Sequence, residues 1–115
     1  MKPGIVFLDA STIDYGDIDF SQLREIGDLR CHGFTSPDQV ADRCAGAAVA
    51  ITNKVELNAA VLSRCPDLKM IAEAATGYNN IDIAEARRRG ITVANVPGYS
   101  TASVAQLTMA FILAL

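Results

Sequence analysis

Residues 74–82 read A-A-T-G-Y-N-N-I-D, a polar turn containing a glycine that lies between an apolar run and a charged segment. The apolar run, residues 70–72, is typical of a buried strand, and the charged segment, residues 83–89, is typical of a helix. A strand that enters a helix through such a turn presents free backbone N–H groups near the positive end of the helix dipole. The segment therefore predicts a strand-loop-helix unit whose loop suits a carboxylate or a phosphate.

Two interpretations of this loop are open from the sequence. In the first, Gly77 lets the main chain approach a ligand closely, and the amides of Asn79 and Asn80 both donate and accept hydrogen bonds. In the second, the loop is an ordinary connection in which Asp82 caps the helix and Glu85 completes a variant of the capping box. The first interpretation predicts an anion site, and the second predicts a helix start.

The composition limits the classes of function. Of the 115 residues, 13 are acidic and 10 are basic, and half are hydrophobic, as expected for one domain with a core. The charges are mixed without a basic face, so no nucleic-acid partner is expected. No signal-peptide pattern is present, and the apolar run of residues 109–115 is too short to span a bilayer. We therefore expect a cytoplasmic protein without a membrane partner.

The cysteines and the histidine do not form a metal-binding pattern. Cys31, Cys44 and Cys65 are widely spaced and contain no C-x-x-C pair. His32 is the sole histidine of the sequence, and it is expected in the region of the second strand, away from the ligand edge. Widely spaced thiols of this kind are typical of reduced cysteines in a cytoplasmic protein. No metal site is predicted.

Apolar runs alternate with helix signals along the whole chain. Strand-like runs occupy residues 5–8, 29–34, 47–51, 68–75 and 91–96. The run over 29–34 alternates apolar and polar residues, which suits a strand near the sheet edge, and Glu73 interrupts the run over 68–75 near its end. Helix starts are predicted at Ser21, residues 36–38 and Asn58, and helix ends at Gly46 and Gly90. Strands that alternate with helices form a parallel sheet with helices on both faces. The expected fold is α/β, a flavodoxin-like doubly wound sheet of order 2-1-3-4-5, although neighbouring doubly wound orders fit the same pattern.

Ligands of such sheets bind beyond the carboxyl ends of the strands. Polar clusters follow four of the predicted strands, at residues 9–12, 52–54, 76–80 and 97–101. Because parallel strands end at the same edge, these clusters are predicted to meet there and to form a site.

The last segment differs from the rest of the chain. After hydroxyl residues it continues as V-A-Q-L-T-M-A-F-I-L-A-L, residues 104–115, which is helical by composition but apolar around nearly its whole circumference. A helix of this kind is either buried between layers or packed against another body of protein. We expect residues 1–99 to form one domain, and residues 100–115 to begin a helix that leads into a second domain beyond this chain.

Over essentially its whole length the sequence resembles the N-terminal part of the D-isomer-specific 2-hydroxyacid dehydrogenases. The resemblance rests on A-A-T-G-Y-N-N-I-D and on A-R-R-R-G-I-T-V-A-N-V-P-G-Y-S-T-A-S-V-A-Q, residues 86–106. Within that family, V-F-L-D-A-S-T and I-T-N-K-V-E-L are most similar to glycerate dehydrogenases, also called hydroxypyruvate reductases. The resemblance implies an NAD- or NADP-dependent oxidoreductase that transfers hydride to or from a small 2-hydroxy or 2-oxo acid, with glycerate and hydroxypyruvate favoured.

The resemblance also implies roles for particular positions. The backbone at Thr76 and Gly77 would hold the substrate carboxylate, with Asn79 beside it. The positions of Asn53 and Lys54 would face the substrate cleft, although Lys54 is equally compatible with a surface lysine.

Other roles concern the cofactor and the partner domain. Thr101 and Val104 are expected to approach the cofactor, and the helix that they begin is expected to lead into a Rossmann domain and to help form a homodimer. The family's G-x-G-x-x-G turn and its catalytic arginine, glutamate and histidine correspond to positions beyond Leu115. This chain is therefore expected to contain no catalytic residue, to bind no cofactor alone and to be inactive alone. Gln106 stands where the family often has glutamate.

Two alternatives come from other functional classes. A freestanding flavodoxin-like binding or signalling module, such as a receiver domain, needs an acidic cluster after strand 1, a phosphorylatable aspartate ending strand 3 and a lysine ending strand 5. Those places hold Asp9, Asn53 and Pro97-Gly98, which argues against a receiver. The other alternative is a degenerate family member retained for protein–protein contact, which intact downstream motifs would exclude.

Overall fold

The computed structural model describes residues 2–114. Five strands form one sheet: β1 (Gly4–Phe7), β2 (Asp28–Cys31), β3 (Val49–Thr52), β4 (Met70–Glu73) and β5 (Thr92–Ala94). Their order is β2-β1-β3-β4-β5, and each neighbouring pair is parallel. The doubly wound order 2-1-3-4-5 expected from the sequence is therefore confirmed. The strand with alternating apolar and polar residues, β2, lies at the edge as predicted.

Five α-helices connect or follow the strands. They are α1 (Ser21–Ile26), α2 (Val40–Cys44), α3 (Ala59–Ser63), α4 (Ile83–Arg88) and α5 (Thr101–Ala114), with single 3-10 turns at Ala10–Thr12 and Pro37–Gln39. Several predicted boundaries are confirmed. The Asn58 side chain accepts a hydrogen bond from the Val61 N–H (3.0 Å) at the start of α3. Gly46 and Gly90 adopt φ of 78° and 72°, which glycine tolerates better than other residues.

Some boundaries differ from the prediction. Ser21 was expected to precede α1 as its cap, but it is the first helical residue, and its N–H and hydroxyl donate to the Asp19 carboxylate (2.9 and 3.0 Å). The fourth strand was expected over residues 68–75 and is limited to Met70–Glu73. Two further bonds follow before the chain turns into the loop: the Ala74 N–H donates to the Thr52 carbonyl (2.8 Å), and the Ala75 carbonyl accepts the Val96 N–H (3.0 Å).

The two faces of the sheet are covered unequally. On one face Val6, Ala50 and Ile71 pack against residues of α2, α3 and α4. On the other face Ile5 and Phe7 pack against α1 and the segment before it, including an edge-to-face contact between the rings of Phe7 and Phe20 with centroids 5.8 Å apart. Because successive side chains of a strand point to opposite faces, these buried strands read as continuous apolar runs in the sequence.

Helix α5 contributes nothing to either core. All of its residues from Thr101 to Ala114 are exposed, and the helix helps to give the molecule its long axis of 52 Å. Its exposed large apolar side chains are Val104, Leu107, Met109, Phe111, Ile112 and Leu113. Leu115, the last residue of the predicted helix, lies outside the described residues.

No helix within residues 2–114 combines the length and the apolar character needed to cross a membrane.

Candidate functional site

A buried aspartate joins the loops that follow β1 and β3. Asp9 is 2% exposed, and its carboxylate accepts the backbone N–H groups of Asn53 (2.9 Å) and Lys54 (2.6 Å). The Asn53 amide in turn donates to the Thr12 hydroxyl (3.0 Å). Asp9 therefore fixes the position of the two residues that sequence reasoning assigned to a substrate cleft. Its own anchoring role was not predicted.

The loops that follow β3 and β4 are also joined. The Leu57 N–H donates to the Asn80 carbonyl (2.7 Å), and the Asp82 N–H donates to the Leu57 carbonyl (3.0 Å). The Asn80 side-chain amide donates to the Val55 carbonyl (2.9 Å), and Leu57 pairs with Ile81 in a parallel bridge. These bonds hold the two loops at a fixed separation.

A cavity of about 260 Å³ lies between these two loops. Asn53 and Lys54 line it from the loop after β3, and Gly77 and Asn79 line it from the loop after β4, together with Ala75 and Asn80. Four of the five predicted substrate residues thus meet at one cavity. Amides, an ammonium group and nearby main chain are the groups that hold a small carboxylate.

The main chain of the loop after β4 is open to a ligand. Within residues 2–114, the N–H groups of Thr76, Gly77, Tyr78 and Asn79 make no hydrogen bond to the protein. A Cβ atom added at Gly77 would meet no protein atom within 4 Å, so the fold does not require glycine there. The residue is compatible with the close approach of a ligand that the sequence suggested.

Thr76 does not line the cavity with its side chain. Its hydroxyl donates to the Val96 carbonyl (2.8 Å), and its own carbonyl accepts the Asn95 side-chain amide (2.8 Å). These bonds attach the loop to the segment after β5. The polar group of Thr76 that remains available to a ligand is its backbone N–H.

The capping interpretation holds for Asp82. Its side chain accepts the Glu85 N–H (3.0 Å), but the Glu85 carboxylate pairs with Arg88 and Arg89 (2.5 and 2.7 Å) and does not complete the box. The pair with Arg88, followed by that with Arg89, lowers the pKa of Glu85 to about 2. Because α4 begins at Ile83, the free N–H groups belong to the loop before the helix. Asp82 occupies the start of α4, and the contribution of the helix dipole to ligand binding stays a prediction.

Glu73 was not predicted to matter beyond interrupting a strand. It is 2% exposed, and neither carboxyl oxygen has a hydrogen-bond partner among the described residues. Burial raises the pKa of Glu73 to about 7. The Asp9 charge acts in the same direction, whereas the Asn80 amide and the Lys54 charge lower the pKa of Glu73. The Asn80 amide nitrogen is committed to Val55, so it leaves the carboxyl without a well-formed hydrogen bond. The sequence feature that could have indicated this buried carboxyl group is a charged residue within an apolar strand.

The predicted cofactor neighbours lie apart from this cavity. Thr101 and Val104 are on the first turn of α5 and are exposed, and neither is among the residues that line the cavity. Within residues 2–114, no group of three histidine, cysteine or acidic side chains is placed to hold a metal ion.

His32 was expected to lie away from the ligand edge, and that expectation is wrong. It directly follows β2, where its N–H donates to the Phe7 carbonyl and its carbonyl accepts the Ala10 N–H (both 2.9 Å). It is thus at the carboxyl edge, but beside the outermost strand and not among the residues that line the cavity. Burial, with the charges of Arg43 and Arg30, lowers the pKa of His32.

Comparison with known proteins supports one family. The model of the D-isomer specific 2-hydroxyacid dehydrogenase catalytic domain matches residues 5–110. A hydroxypyruvate reductase of Blautia hydrogenotrophica is 37% identical over 112 residues, which is 95% of this chain and 35% of that protein. A glycerate dehydrogenase of Methylorubrum extorquens is 35% identical over 115 residues, which is 100% of this chain and 36% of that protein. The chain thus spans about a third of the length of these relatives.

The fold is also found in solved structures. The NAD⁺-bound 3-phosphoglycerate dehydrogenase of Entamoeba histolytica superposes with a TM-score of 0.80 at 22% sequence identity. The match covers 97% of this chain and 38% of that one. At this level of identity the comparison establishes a shared fold.

Proposed function

Because this chain belongs to the D-isomer specific 2-hydroxyacid dehydrogenase family, we propose that it is the substrate-binding part of an enzyme that interconverts hydroxypyruvate and glycerate. The observation that carries the proposal is the cavity where Asn53, Lys54, Gly77 and Asn79 meet beside unpaired main-chain N–H groups. The names of the two relatives at 37% and 35% identity support this substrate class.

Each residue has a distinct task in this proposal. The N–H groups of Thr76 and Gly77 hold the acid's carboxylate, and the amides of Asn53 and Asn79 orient its oxygen atoms. The Lys54 ammonium supplies positive charge beside the carboxylate, which strengthens these hydrogen bonds. Fixing the carboxylate positions the 2-carbon of the acid for reaction.

The nicotinamide of NADH or NADPH, when bound, supplies the hydride that the 2-carbon of the oxo acid receives. The residues described here contribute an edge to that cofactor site, with Thr101 and Val104 exposed and available toward it. We assign the nucleotide turn and the acid–base group to a Rossmann domain that follows residues 100–115. The fold shared with an NAD⁺-bound enzyme supports this arrangement.

The proposal extends to assembly and location. Residues 1–99 form the substrate domain, and α5 leads into the nucleotide domain and contributes to a homodimer. The exposed apolar surface of α5 supports such burial. We also place this enzyme in the cytoplasm.

Gly77 gives the direct test of the carboxylate loop. In the full-length enzyme, Gly77→Ala is expected to raise KM for hydroxypyruvate about tenfold, and Gly77→Val more, because a side chain there crowds the acid against the main chain. Folding should be unchanged, since a Cβ at this position meets no protein atom within 4 Å.

The matched control is Gly33→Ala, whose Cβ would make an ordinary 3.6 Å contact with Ser11 away from the cavity. It should keep the parental KM and melting temperature. An unchanged KM in a well-folded Gly77→Val enzyme would show that the loop does not hold the acid.

A further inference from the structure

Glu73 has no task in the reaction proposed above. It ends β4, is 2% exposed, and has two carboxyl oxygens without a hydrogen-bond partner among the described residues. Burying such a group costs free energy unless it is bonded, and unsatisfied buried groups are uncommon in folded proteins. The sequence thus maintains an unfavourable group at the edge that carries the cavity.

The place of Glu73 links it to both walls of that cavity. It pairs in register with Thr52 of β3, directly before the loop that carries Lys54. Lys54 and Asn80 both line the cavity, and both influence the Glu73 carboxyl. The charged groups that act on this carboxyl are Asp9, in the loop after β1, and Lys54, in the loop after β3.

We propose that Glu73 is a positioning residue whose proton controls how tightly the cavity binds the carboxylate of the acid substrate. This inference rests on the proposed function. While Glu73 is neutral, the Lys54 ammonium and the loop N–H groups act on the acid alone. When Glu73 ionises, its buried negative charge draws Lys54 and the Asn80 amide toward itself and repels the acid's carboxylate.

The direction of the pH dependence follows from the environment of Glu73. Burial raises the pKa of its carboxyl to about 7, so the group loses its proton across the neutral range and not near its ordinary value. Acid binding is therefore tight below pH 6 and weakens as the pH rises through 7. A simple surface carboxylate would be ionised throughout this range and would give no such change.

Binding of oxamate, whose carboxylate stays ionised from pH 5.5 to 8.5, tests this inference in the full-length protein saturated with NADH. By titration calorimetry, the Kd of the parent protein should rise about tenfold across this range, as expected for one added charge near the site. Glu73→Gln should reduce this rise clearly, and any rise that remains comes from the acid–base group assigned to the following domain. Glu25→Gln, the same substitution at an exposed residue of α1, should retain the parental pH profile.

A second measurement does not depend on the variant folding well. The ¹³C carboxyl resonance of Glu73 in the parent protein should titrate near pH 7, and the Asn80 and Gly77 amide resonances should shift with the same midpoint. A Glu73 resonance that titrates below pH 5 would overturn the inference, as would a pH profile of Kd that Glu73→Gln leaves unchanged. Absence of oxamate binding at every pH would instead overturn the proposed function itself, and this inference with it.

Discussion

Asp9 and Glu73 both have buried carboxyl groups near the carboxyl edge of the sheet, but only the Asp9 carboxylate is hydrogen-bonded within the described residues. Asp9 accepts two backbone N–H groups from the loop after β3, whereas Glu73 has no partner among the described residues. Removing an acceptor leaves a buried donor unsatisfied, which costs more than the bond itself contributes. The two residues should therefore respond to substitution in opposite ways.

Asp9→Asn should destabilise the protein by about 2–3 kcal/mol, because one amide NH₂ would face an N–H group of Asn53 or Lys54. It should also weaken acid binding, since both loop residues lose their anchor. Chemical denaturation with parallel KM measurements tests both effects, with the exposed Asp28→Asn as control. Unchanged stability would show that the Asp9 bonds contribute nothing net.

Glu73→Gln should change how stability depends on pH. The pKa of Glu73 rises from 4.5 in the unfolded chain to about 7 in the fold, so the folded state holds the proton more tightly. The contribution of Glu73 to the free energy of unfolding is largest below pH 4.5, falls as the pH rises from 4.5 to 7, and does not recover above pH 7. With about 1.4 kcal/mol for each tenfold change in acidity, the loss is at most about 3.5 kcal/mol.

The variant lacks this loss, so its stability relative to the parent should increase between pH 4.5 and pH 7. Urea denaturation at several pH values measures the difference, and Glu25→Gln serves again as the exposed control. A constant difference between Glu73→Gln and the parent across this range would contradict the neutral form of Glu73 in the fold.

The sequence predicted some of these residues and not others, for physical reasons. Asn53, Lys54, Gly77 and Asn79 follow strand ends, and the rule that parallel strands end at one edge places them together. The roles of Asp9 and Glu73 depend on burial and on partners far along the chain, which local patterns do not contain.

At the scale of single elements, local chemistry predicts starts better than lengths. Asn58 and Asp82 cap α3 and α4 as expected, because a cap bonds a residue three positions away. The predicted strand over residues 68–75 is too long, because the length of a strand is set by its neighbours in the ladder. A single chain segment does not carry that information.

Helix α5 gives the prediction at this scale. Each large apolar side chain left in water forgoes roughly 1.5–3 kcal/mol of burial, so covering three or four of those on α5 provides several kcal/mol. Residues 1–115 alone should therefore self-associate through α5 at the concentrations used for crystals. Light scattering after size exclusion over a dilution series measures the dimer fraction.

Two variants locate the contact. Phe111→Glu should shift the association to higher concentration, whereas Gln106→Glu, a polar position on the same helix, should have a small effect. A parent chain that stays monomeric and soluble at every concentration would contradict the assignment of α5 to an interface.

At the scale of the whole molecule, the chain order and the sheet order were predictable together. Five strands separated by helices allow few right-handed arrangements, and the observed β2-β1-β3-β4-β5 order is one of them. The unequal cover of the two faces follows from this order, because the right-handed connection from β1 to β2 runs in the opposite direction to the others and places α1 alone on its face.

The purified chain of residues 1–115 should not oxidise NADH with hydroxypyruvate. It contains no G-x-G-x-x-G turn, and the described cavity offers no histidine as an acid–base group. Absorbance at the NADH band over a long incubation tests this, with the full-length protein as the positive control. Turnover by pure residues 1–115 would contradict the assignment of the nucleotide turn and the acid–base group to a second domain.

The backbone bonds that join Leu57 to Asn80 and Asp82 also affect the rates at which an acid enters and leaves. These hydrogen bonds hold both walls of the cavity in place without a ligand. Little conformational entropy is therefore lost when a ligand binds. Association of a ligand with the cavity should then be limited by diffusion and not by slow ordering of these loops.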